Sequence, residues 1–380
     1  MGWRGRHTTV GQWLDEWLTL YIEPKMRDGE LAASTITSYR GHVRRYLKPE
    51  LGSIELRKLG PEHVTALYLK MGTPKDLGGY GVSVRTRELT HVTLRMALDR
   101  AVVLGRVRSN VLRAGEGVDR PRVRRHRVRA LEADDVVGLL GALPQAGWPH
   151  ERLFVPAVLA LATGMRRGEI LALQVSDIYL PPESEPASLG VITVWRTWDK
   201  HDDMSRGRSP IERYRIREWP KSGRERYVDI APEVVAVLRA AILARERRRD
   251  GARGDWHTGA LRSDGTAIVW GELLVCDEHG NPWWPDSFSS AWRAWCVRAG
   301  VRCRFHDLRA TSGSLSLEAG TDAEAVSQRL GHHSAAFFLE RYARPMHRAR
   351  ERDAAIMGGL VSRIVAHSAE PGRVQRQRRG

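Results

Sequence analysis

Apolar residues recur at helical spacing through the first third of the chain. Val10, Trp13, Leu14, Trp17, Leu18 and Tyr21 follow the i, i+3, i+4 rule and predict a helix from about Thr9. Ile36, Tyr39, Val43, Tyr46 and Leu47 make a second stripe, with Ser34 placed to cap it. Pro61 stands where a first helical residue belongs, ahead of Val64, Leu67, Tyr68 and Met71. After the break at Gly78, Gly79 and Gly81, Ser83 opens a fourth helix that runs to about Leu104. These elements predict a helical bundle over residues 1–118.

The pattern then changes twice. Residues 119–130 read DRPRVRRHRVRA, with six Arg among twelve positions and no apolar stripe, as expected of a linker between domains. Beyond Leu131 helices and strands mix. Helices are predicted at Glu132–Leu143, Glu151–Ala162 and Gly168–Gln174, from Pro232, from Pro285, and at His306–Glu318 and Asp322–Leu330. Thr321 and Glu324 are spaced as a capping box for the last of these, and Gly331 ends it. Strands are predicted at Gly190–Asp199, Glu212–Trp219 and Arg224–Ile230, the last two forming a hairpin about Pro220-Lys221-Ser222-Gly223. The expected class is mainly α with a small antiparallel sheet (α+β). The expected divisions are a helical domain 1–118, a linker 119–130, a second domain 131–366 closed by a C-terminal helix, and a basic tail 367–380. Residues 200–211 are long and Arg-rich, and read as a loop or a DNA contact.

Composition narrows the partners. The 380 residues are 42% hydrophobic and 28% charged, ordinary for a globular protein with real cores. The net charge of +16 favours a polyanion, nucleic acid ahead of an anionic membrane. The three Cys, at 276, 296 and 303, are too few for a disulfide framework and read as free thiols in a reducing compartment. Leu153–Met165 is the longest apolar stretch, short of the roughly 20 residues that span a bilayer. The N-terminus lacks the apolar core of a secretory signal. A cytoplasmic, nucleoid-associated protein is expected.

Four segments after residue 160 carry candidate chemistry: ATGMRRGEILAL, WPKSGRERYVDI, HDLRATSGSLSLEAG and LGHHSAAFFLERY. His306 and Arg309 are three apart on a predicted helix and share a face. Both can be cationic, which makes sense around a dianion. Arg166 follows a Thr-Gly turn at a helix start, where backbone N–H groups also favour an anion. Glu169 is one turn on and can hold Arg166 or Arg167. Lys221 sits at the predicted hairpin tip. His332 follows a helix C-terminus, and Tyr342 comes ten residues later. Two Arg, two His, a Lys and a Tyr can together perform phosphoryl transfer without a metal. Guanidiniums bind the non-bridging oxygens and stabilise charge that grows at phosphorus. Tyr342 is then the nucleophile, giving a phosphotyrosine.

In this order and at these distances, TGxRxxE, a hairpin Lys, HxLR and LGHxS followed by Tyr resemble the catalytic boxes of the tyrosine recombinase (phage integrase) family. HxxR alone is a weak signal; the ordered set is a specific one. The resemblance covers most of the chain. It implies Arg166 as first catalytic Arg, Lys221 as general acid, His306 and Arg309 as the second box, His332 as the last activating group, Tyr342 as nucleophile and Glu169 as support. His333 is a rival to His332. The resemblance implies a site-specific recombinase, the integrase of a mobile element, working through a 3′-phosphotyrosyl link with no cofactor, metal or ATP. It further implies a tetramer on double-stranded DNA core sites, with an accessory bending or directionality factor as a possible partner. An additional N-terminal arm-binding domain is expected to be absent.

Plainer readings stand beside these. Tyr342 by itself is an ordinary core or surface tyrosine, and hairpin lysines are usually solvated. The Arg run can be a solvated face. Between two domains of a basic chain, it instead fits a phosphate-backbone clamp made of Arg120, Arg122, Arg124, Arg125, Arg127 and Arg129. Arg167 reads as a surface or backbone-contact residue. Trp283, Trp284, Trp292 and Trp295 read as core. Cys303-x-x-His306 with Cys296 lacks the second ligand pair of a zinc site. Two rival functions remain: a type IB topoisomerase-like activity, and a DNA-binding protein with a decayed site.

Overall fold

The computed structural model describes residues 8–28, 30–31, 33–113, 117–123, 130–147, 149–200, 209–218 and 225–331. The chain divides into two units, residues 1–126 with 199–215, and residues 127–198 with 216–380. The division between the units falls inside the expected 119–130 linker, and residues 199–215, expected in the second domain, group with the first unit.

The first unit is helical. Helix α1 (Val10–Trp17) starts at Thr9, whose hydroxyl accepts the Gln12 N–H while the Gln12 side chain accepts the Thr9 N–H. It runs on through a π turn, Leu18–Ile22, into α2 (Glu23–Arg27). Helix α3 (Ala33–His42) already contains Ser34, so that residue lies in the first turn instead of capping it. A second π turn and α4 (Lys48–Leu51) extend it. Helices α5 (Pro61–Gly72) and α6 (Val84–Val103) begin at Pro61 and after Ser83, as the sequence predicts. The predicted stripes form the core: Trp13, Leu14, Ile36, Leu47, Val64 and Leu67 are all buried, and Leu94 of α6 joins them.

Two histidines are built into this core. His42 Nδ1 lies 2.8 Å from the Thr93 hydroxyl, which itself donates to the Leu89 carbonyl, so the ring nitrogen must carry the proton. His91 Nδ1 is 2.8 Å from the Tyr68 hydroxyl. Burial pushes both rings down to about 4, helped by Arg45 at His42 and by Arg120 and Arg95 at His91. A histidine whose folded pKa is depressed is protonated first in the unfolded chain. Stability is therefore whole above the ordinary histidine value of about 6.5 and drains away as pH falls from there to about 4. The melting temperature of this unit should fall over that window, and His91→Gln should flatten the slope; a slope unchanged in that variant contradicts the assignment.

The second unit is α+β. Its helices are α7 (Ala133–Gly141), α8 (Phe154–Thr163) and α9 (Arg167–Leu171). Strands β1 (Ile178–Tyr179), β2 (Gly190–Val194) and β3 (Arg196–Lys200) follow. A short α10 (Pro210–Arg213), in the 199–215 stretch that groups with the first unit, precedes β4 (Tyr214–Glu218), and β5 (Arg226–Ile230) and α11 (Pro232–Gly251) follow. A small ribbon, β6 (Gly259–Leu261) with β7 (Ala267–Val269), was not legible in the sequence. Helices α12 (Pro285–Arg298), α13 (Phe305–Glu318) and α14 (Ala323–Leu330) complete the described part.

Three expectations change here. The predicted strand Gly190–Asp199 splits at Trp195. Trp195 Nε1 and Arg196 Nη2 both donate to Asp177 Oδ1, at 2.8 and 3.0 Å. Neighbours on a regular strand point to opposite faces, so a shared acceptor breaks the ladder. The predicted hairpin is also not a direct pair: β4 pairs with β3, whereas β5 pairs antiparallel with β2, Arg226 opposite Val194. The cap of α14 is Asp322, accepting from Glu324 and Ala325 N–H, and not Thr321. Trp292 and Trp295 are core, as expected. No helix among the described residues is long and apolar enough to cross a membrane.

Candidate functional site

Helix α13 packs against α8 and α14, and this packing assembles the site. Its N-terminus is held by Asp307, which accepts the Arg304 N–H at 2.8 Å. His306, at the start of the helix, is exposed; Arg309, one turn later, is 1% exposed. The expected shared face therefore has a wet end and a dry end. Arg309 donates through Nη1 to the Gly164 carbonyl and through Nη2 to the Leu330 carbonyl. It thus ties the Thr-Gly turn after α8 to the last turn of α14.

Both turns need glycine. Gly164 has φ +66°, and a Cβ there would lie 2.0 Å from Leu330 Cδ2. Gly331 ends α14, also at φ +66°. Gly164→Ala combines backbone strain with overpacking and should lower stability by about 2–4 kcal/mol in a denaturant titration. A change within experimental error would refute the tight approach of these two turns.

Arg166 is the N-cap of α9 and about a third exposed. Its own N–H donates to Glu169 Oε2 at 2.8 Å, its Nη1 to Glu169 Oε1 at 2.8 Å, and its Nη2 to the Gly331 carbonyl at 3.1 Å. Glu169 is 1% exposed and bound by two arginines. The second is Arg226, whose Nη2 and Nη1 reach Oε2 and Oε1 at 2.6 and 3.3 Å. Burial by itself would raise the Glu169 carboxyl. The charge and hydrogen bonds of Arg226, then those of Arg166, outweigh it and bring the group down to about 2.

The three guanidiniums meet at one feature. Arg226 Nε donates to the Arg329 carbonyl at 3.1 Å, Arg309 to that of Leu330, and Arg166 to that of Gly331. A helix C-terminus leaves its last carbonyls without intrahelical partners and carries partial negative charge. Here three successive carbonyls are each met by a guanidinium. Three guanidiniums less one carboxylate leave two positive charges at this spot, well suited to a phosphodiester with its growing charge.

Of the residues singled out in the sequence, Arg166, Glu169 and Arg309 are brought together, and His306 lies on the same helix as Arg309. Lys221, His332 and Tyr342 lie outside the described residues, as do Arg124, Arg125, Arg127 and Arg129. Arg120 and Arg122 are exposed, and Arg120 Nη2 pairs with Glu88 at 3.0 Å. Arg167 donates to the Ser289 hydroxyl. Arg226 was missed. It stands in the RERYVDI segment with nothing local to separate it from Arg224, and its place opposite Val194 comes from a strand pairing that the sequence did not predict.

Comparison with known proteins bears on the family and the fold. The sequence model of the phage integrase family matches residues 198–348. An integrase of Saccharopolyspora erythraea is 25% identical over 374 residues, covering 87% of this chain and 78% of that protein. The structure of the Tn1549 transposon integrase in complex with a circular intermediate DNA aligns at a TM-score of 0.66 and 18% identity, over 91% of this chain and 99% of that one. A lambda integrase tetramer bound to a Holliday junction aligns at a TM-score of 0.56 and 16% identity, over 86% of this chain and 78% of that one. The two structures speak to the fold.

Proposed function

The chain belongs to the tyrosine recombinase (phage integrase) family and is a site-specific recombinase of the mobile-element type; from that premise we propose that Tyr342 is its nucleophile and that Arg166 and Arg309 bind the scissile phosphate. The carrying observation is the convergence of Arg166, Arg309 and Arg226 on three successive carbonyls at the end of α14. Arginines spread from position 166 to position 309 converge on one helix end.

In the proposed cycle the Tyr342 oxygen attacks phosphorus and the bond to the 5′-oxygen breaks. Lys221 gives that oxygen its proton, and a 3′-phosphotyrosyl link remains. His306 and His332 position or shuttle protons around the phosphate. The 5′-hydroxyl of a partner strand then attacks the link, releasing the phenol. One phosphoester replaces another, so the exchange is close to balanced in energy and calls for no ATP. Arg120, Arg122, Arg124, Arg125, Arg127 and Arg129 form a basic segment between the helical DNA-binding domain, 1–118, and the catalytic domain, 131–366. We assign them to backbone phosphates, which should make binding strongly salt-dependent. The partner is duplex DNA, and the working form is a tetramer on paired core sites, a reading supported by the lambda integrase tetramer on a Holliday junction. An accessory bending factor fits the same scheme.

The test is covalent capture. Duplexes tiled across the DNA flanking the coding gene are each nicked just past a candidate cleavage position, so that the released fragment diffuses away. Wild-type protein should form an adduct that survives denaturing electrophoresis with one of them, and two such sites should yield recombinant product. Plasmid relaxation without recombinant product would favour the topoisomerase-like rival, and binding without any adduct the decayed-site rival.

A further inference from the structure

We propose that Arg226, the first residue of β5, is a positioning residue for strand cleavage: it holds Glu169 and the end of α14 where Arg166 can address the phosphate. The inference rests on the phosphate-binding role given to Arg166 above. Arg226 has a side chain only 10% exposed, and its guanidinium makes three described contacts at once. Two form a forked pair with the Glu169 carboxylate, and the third is the bond from Nε to the Arg329 carbonyl. A lysine has no fork and could keep only part of this set.

The arrangement answers an electrostatic problem. Glu169 anchors Arg166 from a buried position, at the N–H that starts α9 and at the guanidinium. A lone Arg166–Glu169 pair would be neutral, and the carboxylate would cancel much of the field that Arg166 offers a phosphate. Arg226 supplies a second cation to the same carboxylate. Each Glu169 oxygen accepts one bond from Arg166 and one from Arg226, so the carboxylate is shared and the group stays net positive.

The contact also reaches the next box. A Cβ on Gly331 would stand 3.3 Å from Arg226 Nη1 and 3.4 Å from its Cδ and Cζ. The guanidinium thus lies against the left-handed turn whose own carbonyl accepts from Arg166. Arg226 fastens two things, the carboxylate that orients Arg166 and the last turn of α14, and it lies beside the glycine that precedes His332 in sequence.

The test uses the full chain and the duplex that wild type captures, with Arg226→Lys and Arg226→Met. Each is assayed in single turnover on the natural diester and on the same duplex carrying a neutral methylphosphonate at the cleavage position. Arg226→Met should slow diester cleavage by about 10–100-fold, as loss of a supporting partner typically does, with Arg226→Lys between it and wild type and DNA affinity unchanged. On the methylphosphonate the deficit should shrink to about threefold or less, because a substrate with less charge asks less of a cationic pocket. A purely structural role would slow both substrates alike, and that result overturns the proposal. Wild-type rates in both variants overturn it too. If Arg226→Met does not fold, Arg226→Lys carries the comparison. Arg166→Ala is run alongside. Normal cleavage by Arg166→Ala removes the underlying phosphate assignment; impaired cleavage there with normal cleavage by the Arg226 variants removes only the present inference.

Discussion

Tyr342→Phe should abolish covalent capture of DNA and leave DNA binding intact. Only the phenol oxygen is lost, and that oxygen is the atom that joins phosphorus in the proposed cycle. The substitution keeps the ring. An ordinary tyrosine has a pKa of about 10 and is ionised to roughly one part in a thousand at neutral pH. Attack therefore depends on cations or a base to favour the phenolate, which the charge gathered by Arg166, Arg226 and Arg309 can supply. The measurement is the adduct band on a denaturing gel beside a mobility-shift titration of the same duplex. An adduct formed by Tyr342→Phe at the wild-type level would end the assignment of the nucleophile. Loss of both adduct and binding would point to a folding defect, which a thermal melt reveals.

Arg166→Ala and Arg309→Ala should each slow cleavage by about 10²–10³-fold, the usual consequence of losing one donor to developing negative charge. The two differ in stability, and the difference comes from burial. Arg166 is about a third exposed, and its loss leaves the Gly331 carbonyl and one side of Glu169 without their partner, while Arg226 still holds the carboxylate. Arg309 is 1% exposed, and its loss strands the carbonyls of Gly164 and Leu330 in the interior. Each stranded group costs about 1–3 kcal/mol, so Arg309→Ala should lower the denaturant midpoint far more than Arg166→Ala. Single-turnover rates and urea titrations of both variants check the pair. A rate loss under about threefold in either would count against its role, given the effect expected of such donors. Equal midpoints would contradict the buried strut formed by Arg309.

Much of this protein was written locally. The stripes of Val10, Trp13 and Leu14, of Val64 and Leu67, and the starts at Pro61 and Ser83 appear in the structure where the sequence puts them. Helix periodicity is a property of neighbours a few residues apart, so it survives without knowledge of the fold. The same holds for Arg166 after its Thr-Gly turn and for Gly331 closing α14, because a left-handed turn is demanded by the local chain path. Thr321 failed as a cap by one position, where the adjacent Asp322 could equally have served, and Ser34 falls inside the first turn of α3.

By itself, then, the sequence determined the helical first unit, the mixed second one and the order of the chemical boxes along the chain. Tertiary structure alone decided who meets whom. The ladders pairing β3 with β4 and β2 with β5, the shared acceptor Asp177 and the capture of Glu169 by Arg226 all depend on residues brought together from distant positions. Among many arginines in a chain of net charge +16, nothing local distinguishes the one that will be buried beside a carboxylate 57 residues away. Burial sets that choice, because a guanidinium removed from water persists only where a carboxylate and carbonyls wait to receive it.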